Sequence, residues 1–299
     1  MINILSFDVE DWHQVAYQRL TGRLREPGTA LFRQLDFLLQ VLADHGGTKA
    51  TFFVLGIVAE KHPDLVRLIA NQGHEIASHG YAHLLVKQLS RDGFTQDTLK
   101  SKLLLEDIIG LPVEGYRAPE FSIRTKSLWA LSVLAELGFK YDSSIFPIYH
   151  RRYGIPGFSP EVARYDTQSG AQIVEFPLTT FPFWRVRLPI AGGGYVRLTP
   201  FPILRFALRR NVRTLQPIVT YFHPAEFEKQ RLNVFDLEAT SGCKEYLRGL
   251  IFNIHQNIGH RTMRSKLSQF LKCFRFTTCR TYLEEANLHD SRKLLSIAS

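Results

Sequence analysis

Short strand-like runs and segments of helical period alternate along the first 145 residues of the chain. The runs Ile2–Phe7, Ala50–Val54 and Glu75–Ser78 are each followed by polar or small residues, which is typical of buried parallel strands. Apolar residues recur every three or four positions in 31–43 and 63–72, and glycines end both segments, as expected for helices. This alternation predicts βαβ units, and therefore an α/β fold built on a parallel sheet or barrel.

The pattern changes in the middle of the chain and then returns. Residues 145–215 are rich in Pro, Gly, Phe and Tyr and favour hairpins and long loops over helices. Further helices are predicted at 98–109, 125–137, 243–258 and 262–272, and further strands end at Arg117, Tyr141, Phe222 and Phe276. Because no linker or repeat interrupts the sequence, we expect one domain over 1–299, in which 145–215 is an insertion and 225–299 a basic extension packed on the barrel.

The composition and the first residues of the chain argue against a membrane-spanning, a secreted or a disulfide-rich protein. The chain is 45% hydrophobic and 22% charged, which is ordinary for a globular protein. Its longest apolar run, 52–59, is far shorter than the ~20 residues of a membrane-spanning helix. The first residues contain no basic segment of the secretory type, so we expect a cytoplasmic protein. The three cysteines show no CxxC spacing, which argues against a disulfide framework or a cysteine zinc site.

Positive charge is concentrated late in the chain. The net charge is +9, and sixteen basic but only eight acidic residues lie from position 200 onward. Arg205, Arg209, Arg210 and Arg213 alternate with apolar residues, which predicts a helix with one basic face. A solvated outer helix is one interpretation. The other is an anionic partner, and we expect peripheral contact with the inner face of a membrane through this basic region, or an acidic glycan. No nucleic-acid motif accompanies the charge.

Polar side chains follow the predicted strands at the point where each one ends. The carboxyl ends of parallel strands are where ligands bind in such folds, so residues distant in sequence meet there. The side chains that meet at this edge are Asp8, Glu10, Asp11, His79, His83, Arg117, Glu120, Asp142 and His223.

The histidine pair and the acidic segment after the first strand together suggest a metal-dependent hydrolase. His79 and His83 are four residues apart, so on a helical turn both rings project the same way and can share a metal ion. Two histidines and one carboxylate leave coordination positions open for water and substrate. In the acidic segment 8–11, one carboxylate can hold the metal while another takes a proton. The competing interpretation is a pair of structural histidines and solvated loop acids.

The motifs as a set resemble the polysaccharide deacetylases of carbohydrate esterase family 4, the NodB-homology domain. The segments that carry the resemblance appear in the family's order, at 6–11, 50–54, 73–83, 115–122, 141–144 and 220–224. The resemblance implies a distorted (β/α) barrel of about seven parallel strands, with a loop- and hairpin-rich insertion before the last strands. Residues 189–195 and the tail resemble a shorter clade found near exosortase exopolysaccharide loci in bacteria.

The resemblance also implies roles for individual residues. Asp8 matches the catalytic base, His79 and His83 the metal histidines, Arg117 the arginine that steadies the base, and His223 the general acid.

Other positions are less directly matched. The family's metal carboxylate normally follows the base at once, but Val9 intervenes here, so the ligand is Glu10 or Asp11, with Glu10 the first choice. Asp142 lies near a motif that orients the general acid. The candidates for binding substrate are Tyr81, Glu120, Phe121 and Tyr195, and further aromatic side chains that can stack on sugars are Trp12, Tyr149, Phe183 and Trp184.

The resemblance implies a hydrolase that uses one divalent ion, Zn²⁺ by expectation, to remove N-acetyl groups from amino sugars. The substrate is then an N-acetylated polysaccharide of bacterial exopolysaccharide synthesis or its lipid-linked precursor. Two alternatives remain open. One is a metal-dependent amidohydrolase acting on a small amide or imide, and the other is a glycan-binding module without catalysis on the same scaffold.

Overall fold

A computed structural model describes residues 2–23, 25–167, 169–212, 216–233, 243–286 and 292–294. Arg213, which the sequence placed in the basic cluster, and parts of the 225–299 extension lie outside these described residues.

Twelve strands are formed by the described residues. They are β1 (Ile2–Val9), β2 (Thr51–Val54), β3 (Glu75–Ser78), β4 (Gly115–Tyr116), β5 (Tyr141–Asp142), β6 (Ala163–Asp166), β7 (Gln172–Glu175), β8 (Thr180–Phe183), β9 (Val186–Pro189), β10 (Val219–Phe222), β11 (Arg275–Thr277) and β12 (Arg292–Leu294).

Eleven α-helices accompany them within the same described ranges. They are α1 (Trp12–Thr21), α2 (Ala30–Asp44), α3 (Gly56–Lys61), α4 (Pro63–Asn71), α5 (Arg91–Ile109), α6 (Trp129–Glu136), α7 (Gly193–Leu198), α8 (Phe201–Val212), α9 (Cys243–Asn257), α10 (Met263–Cys273) and α11 (Cys279–Glu285).

Most strands belong to one curled sheet. Its order is β10-β1-β2-β3-β4-β5-β7-β6-β12, and β11 pairs with β1. The seven strands from β10 to β7 run parallel to their neighbours, whereas β6 is antiparallel to β7. The predicted α/β fold with about seven parallel strands is therefore confirmed. Over the described residues the sheet forms a half-barrel, since β10 and β12 stand at opposite ends of the strand order.

Alternation along the strands separates two apolar layers. On β1, the side chains of Leu5, Phe7 and Val9 join the larger core, which the helices cover. Ile4 points to the opposite face and belongs to a second cluster inside the curl of the sheet. Both faces are buried in β2, β3, β10 and nearly all of β1, which is why these strands read as almost continuous apolar runs in the sequence.

The insertion contains both hairpins and helices. β6 and β7 form one antiparallel hairpin, and β8 and β9 form another that stands apart from the main sheet. α8 is the basic helix that the arginine spacing predicts. α7 was not predicted, because Gly192 and the two glycines that begin the helix favour a turn, and its six residues are too few to establish a period.

The predicted helix ends differ from the observed ones where a capping residue decides them. α5 begins at Arg91 rather than at 98, because the Ser90 side chain accepts a hydrogen bond from the backbone N–H of Gly93. α1 was missed altogether, although Asp11 caps it by accepting from the N–H of His13. Within the described residues, no helix is long and apolar enough to cross a membrane.

We predict that Gly115→Ala destabilises the sheet. A Cβ at this position would lie 2.0 Å from Cζ of Tyr141, and that ring cannot swing away because its hydroxyl donates to the buried carboxylate of Glu75 at 2.7 Å. Overpacking of this kind costs about 1–3 kcal/mol. Urea unfolding measures the loss. Gly93→Ala in the first turn of α5 is the control, and equal stability of the two variants would contradict this packing.

Candidate functional site

The alternation of β1 explains why the acidic segment is interrupted by a valine. Asp8 points to the inner face of the curled sheet, as Ile4 and Ser6 do, whereas Val9 packs in the outer core. Glu10 follows on the same inner side, so the two carboxylates line one cavity although they are not adjacent in sequence.

Glu10, His79 and His83 form the one cluster of potential metal ligands found among the described residues. Oε2 of Glu10 lies 2.9 Å from Nε2 of His83 and 3.7 Å from Nε2 of His79, and all three side chains are buried. Their candidate ligand atoms lie within 4.8 Å of one another. The two histidines stand at the end of β3 and in the turn after it, where the sequence placed them.

The tautomer of His79 suits a metal ligand. Its Nδ1 lies 2.8 Å from the carbonyl oxygen of Arg117, and a carbonyl only accepts, so Nδ1 carries the proton. The other ring nitrogen, Nε2, lies on the side of Glu10. A backbone carbonyl that fixes the second ring nitrogen is the usual support of a metal-binding histidine. One carboxylate and two imidazoles are a donor set suited to Zn²⁺ or another divalent transition metal.

The charge of Glu10 is stabilised by its neighbours. Burial by itself would raise the pKa of this carboxyl, but the imidazoles of His83 and His223 hold the pKa well below its usual range. Glu10 is therefore ionised at neutral pH, as a metal ligand must be.

The structure separates Asp11 from the ligand cluster, which corrects its place among the candidate ligands. Its Oδ1 accepts from the N–H of His13 at 2.9 Å, and its Oδ2 accepts from the N–H of Gly28 at 2.6 Å. Asp11 thus caps α1 and holds the following loop. Glu10 is the acid that lies with the histidines.

Arg117 connects Asp8 to the neighbouring strands. Its side chain is fully buried, and Nη1 lies 2.7 Å from Oδ1 of Asp8 and 2.8 Å from the hydroxyl of Ser6. Nη2 donates to the hydroxyl of Ser143, Nε donates to its carbonyl oxygen, and the guanidinium stacks over the ring of Phe53. One oxygen of Asp8 is thereby fixed, while Oδ2 faces His223 at 4.0 Å.

Asp142 lies behind Arg117 rather than beside His223, which corrects the sequence interpretation. It is fully buried, accepts from the N–H and the hydroxyl of Ser144, and does not line the cavity. Burial raises the pKa of its carboxyl, and burial together with the nearby Asp142 raises the pKa of Glu175 well above its usual range. Both shifts favour the neutral form of a carboxyl in this buried pair, which lowers the negative charge that the two acids present to Arg117.

Glu226, rather than Asp142, is the acid that faces the outer nitrogen of His223. Nε2 of His223 lies 3.5 Å from Oε1 of Glu10, and Nδ1 lies 3.8 Å from Oε2 of Glu226. Burial alone would lower the pKa of His223, but Glu10, Glu226 and Asp8 raise it to about 9. Sequence reasoning missed Glu226, although its place three residues after His223 was a usable signal.

These groups open into a cavity of about 300 Å³. Among the proposed substrate residues, Glu120, Phe121 and Tyr195 line it. Glu120 forms two salt bridges: its Oε1 lies 2.7 Å from Nε of Arg19, and its Oε2 lies 2.5 Å from Nη2 of Arg152. Both arginines line the cavity, and the sequence did not indicate either of them. Phe121 packs edge-on against the ring of Tyr221, and the hydroxyl of Tyr195 pairs with that of Tyr153 at 2.6 Å.

Tyr81 does not line this cavity, which corrects its place among the substrate residues. Its hydroxyl donates to Glu60 at 2.5 Å, and Nζ of Lys100 lies 3.5 Å from its ring centroid. The ring also lies against Gly56, where a Cβ would meet Cδ2 at 2.4 Å. Tyr81 therefore supports the turn that carries His83, from outside the site.

Two family models match the chain. The model described as polysaccharide deacetylase matches residues 35–141, and a model described as a domain of unknown function, DUF3473, matches 143–284. The first match contains both metal-candidate histidines and Arg117, whereas Asp8, Glu10 and His223 lie outside it.

Curated relatives are similar over part of their length. A peptidoglycan-N-acetylglucosamine deacetylase of Bacillus cereus is 36% identical over 94 residues, covering 31% of this chain and 34% of the relative. A chitooligosaccharide deacetylase of Rhizobium leguminosarum bv. trifolii is 52% identical over 46 residues, covering 15% of this chain and 21% of the relative. The match to the first relatives thus spans about a third of their length.

One solved structure resembles nearly the whole chain. It is a Mycobacterium smegmatis protein assigned to the polysaccharide deacetylases, with a TM-score of 0.59 and 18% identity, and the match covers 99% of this chain and 94% of that one. At this identity the likeness shows the fold, which agrees with the curled parallel sheet described above.

We predict that Glu10→Gln loses bound zinc and that Asp11→Asn retains it. The amide in Glu10→Gln is neutral, whereas asparagine at position 11 keeps a carbonyl oxygen for the helix cap. Elemental analysis after equilibration with zinc and desalting gives the metal content per chain. The opposite result, with metal lost only in Asp11→Asn, would reject the assignment.

We also predict that Glu175→Gln alters the pH dependence of stability. The folded-state pKa of Glu175 is raised, so its stabilising contribution is complete below the unfolded pKa of about 4.3 and is lost as pH rises through the folded pKa. Glutamine stays neutral and avoids this loss.

The free energy of unfolding in urea, measured from pH 4 to pH 9, checks this expectation. The stability of Glu175→Gln relative to the unsubstituted protein should rise with pH. Glu284→Gln, an exposed acid on α11, is the control and should show a flat difference. A flat difference for Glu175→Gln as well would contradict the raised pKa of Glu175.

Proposed function

We propose that this chain hydrolyses N-acetyl groups of amino sugars in a bacterial glycan, and the match of residues 35–141 to the polysaccharide deacetylase model supports the proposal. The observation that carries the proposal is one cavity lined by three groups at once. These are a candidate metal triad of Glu10, His79 and His83, the fixed carboxylate of Asp8, and His223. The names of the relatives support N-acetylglucosamine units as the substrate class.

Glu10, His79 and His83 would hold one divalent ion, for which zinc is our proposal. When bound, such an ion polarises a carbonyl and makes a coordinated water acidic. The chain's own part is to keep Glu10 ionised and the ring of His79 in the tautomer that leaves Nε2 free.

Asp8 acts as the general base in this proposal. Arg117 occupies Oδ1, so Oδ2 is the oxygen left to accept a proton in the cavity. Arg117 also donates hydrogen bonds to the hydroxyls of Ser6 and Ser143. These contacts fix the guanidinium, and with it the carboxylate of Asp8, before substrate binds.

His223 acts as the general acid. Despite burial, Glu10, Glu226 and Asp8 raise the pKa of this ring to about 9, which favours the protonated form that a general acid needs, and Nε2 lies on the side of Asp8 and Glu10. A proton delivered from Nε2 to the departing amine completes hydrolysis of the amide. Glu226 faces the other nitrogen and positions the ring.

The substrate's size and origin are finer proposals. We propose a polymeric or lipid-linked N-acetylated glycan of exopolysaccharide synthesis, in agreement with the exosortase-associated clade that the sequence resembles. The protein would then act in the cytoplasm, at the inner face of a membrane. Lining aromatic groups such as Phe121 and the paired hydroxyls of Tyr153 and Tyr195 suit a sugar ring.

Acetate release from purified protein tests the activity. Chitotetraose and peptidoglycan are the glycan probes, acetamide and hydantoin are the small-molecule probes, and zinc content is measured in the same samples. Release from a glycan that depends on metal supports the proposal. Hydrolysis of the small amides alone would favour an amidohydrolase, and metal-independent binding of chitotetraose without acetate release would favour a binding module.

We predict that His223→Ala retains bound metal and lowers kcat for acetate release by ~10²–10⁴-fold, the usual contribution of a positioned acid. Glu226→Gln should cause a smaller loss, because it removes a positioning charge and leaves the imidazole in place. Loss of metal from His223→Ala, or a fall in kcat below tenfold, would assign the acid role elsewhere. His62→Ala is the control, because this half-buried histidine at the end of α3 does not line the cavity.

A further inference from the structure

The β8–β9 hairpin has one face made entirely of apolar side chains. Its cross-strand pairs are Phe181 with Leu188 and Phe183 with Val186, and pairs two residues apart along a hairpin share a face. Phe183 is 57% exposed and Val186 is 56% exposed, so most of this face is open to solvent. Neither Phe183 nor Trp184 lines the cavity, so the sequence expectation that they stack on sugars within the site is not met.

Trp184 stands at the tip of this hairpin in a conformation that suits glycine better. It is 96% exposed and has a φ of 54°, in the left-handed region. Two-residue hairpin turns with positive φ usually use glycine, asparagine or aspartate. The other non-glycine residues of positive φ among those described are His83, Glu120 and Phe121, and all three lie at the candidate active site. A strained, fully exposed tryptophan points to a second functional surface.

Helix α8 adds positive charge beside the hairpin. The exposed side chains of this helix include Arg205, Arg209 and Arg210. Two apolar side chains of the helix are exposed as well, since Ile203 is 57% and Phe206 is 65% exposed. The helix packs against β8, and the guanidinium of Arg210 lies 5.8 Å from the ring centroid of Phe181, on the apolar face of the hairpin. The hairpin and the exposed face of α8, here called the hairpin surface, are therefore continuous.

Acidic residues are absent from this whole part of the sequence. The fifty residues from Phe176 to Ala225 contain seven arginines and neither aspartate nor glutamate. Five of these arginines lie on the hairpin or on α8, since Arg197 is buried and Arg213 lies outside the described residues. A partner for the hairpin surface must accept protruding aromatic side chains and be negatively charged at the same time.

We propose that the hairpin surface binds the headgroup region of an anionic lipid bilayer. Tryptophan and phenylalanine partition into the boundary between headgroups and acyl chains, while flanking arginines bind the lipid phosphates. A second copy of the chain fits less well, because two such surfaces would bring arginines together. Nucleic acid fits less well, because exposed aliphatic side chains such as Val186 and Leu188 have no favourable contact on a duplex.

This surface is adjacent to the active-site cavity along the chain. α7, which contributes Tyr195 and Leu198 to the cavity lining, is separated from α8 by only two residues. Docking of the hairpin surface would therefore hold the cavity near a bilayer, where a lipid-linked glycan or a polymer under synthesis is found. The lipid interaction itself does not depend on the proposed activity.

Vesicle binding by the full chain tests the proposal. We expect co-sedimentation with vesicles of phosphatidylcholine containing 30% phosphatidylglycerol, and weak binding to pure phosphatidylcholine. Tryptophan emission should shift to the blue on binding, because Trp184 is exposed whereas Trp12 and Trp129 are partly buried. Equal binding to both vesicles, absence of binding, or retention of the protein by polygalacturonate but not by vesicles would overturn the proposal.

Two variants separate lipid binding from folding. Trp184→Gly suits the left-handed turn, so it should keep the free energy of unfolding in urea, yet lose the blue shift and weaken vesicle binding by at least about tenfold. Arg205→Gln with Arg209→Gln should weaken binding to the anionic vesicles by at least about tenfold.

The matched controls remove the same kinds of side chain, one apolar and two positively charged, from other exposed surfaces. Leu103→Gly removes an exposed apolar side chain from α5, and Lys87→Gln with Lys126→Gln removes the same charge as the arginine pair. The controls should bind vesicles as the unsubstituted protein does, and all variants should keep their metal content and their acetate release from chitotetraose. Equal vesicle binding by the hairpin-surface variants and the controls would reject the surface, whatever the outcome for the activity.

Discussion

The buried ion pair between Arg117 and Asp8 is the interaction on which the rest of the site depends. It joins the ends of β1 and β4, and the same guanidinium reaches Ser143 after β5. Breaking one side of such a pair leaves an uncompensated buried charge, at a typical cost of about 3–5 kcal/mol. Arg117 also presents its carbonyl oxygen to His79, so the residue that fixes the base fixes a metal-candidate imidazole too. Arg117 thus fixes Asp8 through its side chain and His79 through its backbone, although Arg117 does not line the cavity.

The buried acids Asp142 and Glu175 contribute to the charge balance around Arg117. Asp8 on one side and the Asp142–Glu175 pair on the other would place three carboxyls near one guanidinium, and burial opposes that much negative charge. The raised pKa values of that pair favour a neutral carboxyl, which reduces the excess of negative charge. The positive charge of Arg117 stabilises the carboxylate of Asp142. Asp142 is fully buried and does not line the cavity, so its role is structural. Glu226, buried beside His223, is the acid that faces the outer nitrogen of this ring, the position that the sequence had suggested for Asp142.

Much of the architecture was predictable because it depends on period and spacing. The alternation of short runs and helices gave the parallel sheet, and the polar residues after each run gave Asp8, Glu10, His79, His83, Arg117 and His223 at one edge. The choice between Glu10 and Asp11 was not predictable from spacing, since it depends on where the strand ends and the helix cap begins. Glu175 was missed because its role arises from burial against Asp142, a contact between strands that no local pattern encodes. Tyr81 was misplaced because its ring turns outward to Glu60.

The site also requires the two halves of the chain to fold together. β1 pairs with β2 on one side and with β10 on the other, so Phe7 lies opposite both Phe52 and Phe222. Residues 35–141 supply both histidines and Arg117, but Asp8 and Glu10 precede them and His223 follows them by more than eighty positions. The region between Asp142 and β10 must therefore reach across the half-barrel, and it does so through the hairpins and helices of the insertion. An insertion already required to bring His223 into place can carry a separate surface at low cost in stability, because the tip of the β8–β9 hairpin lies outside both apolar cores.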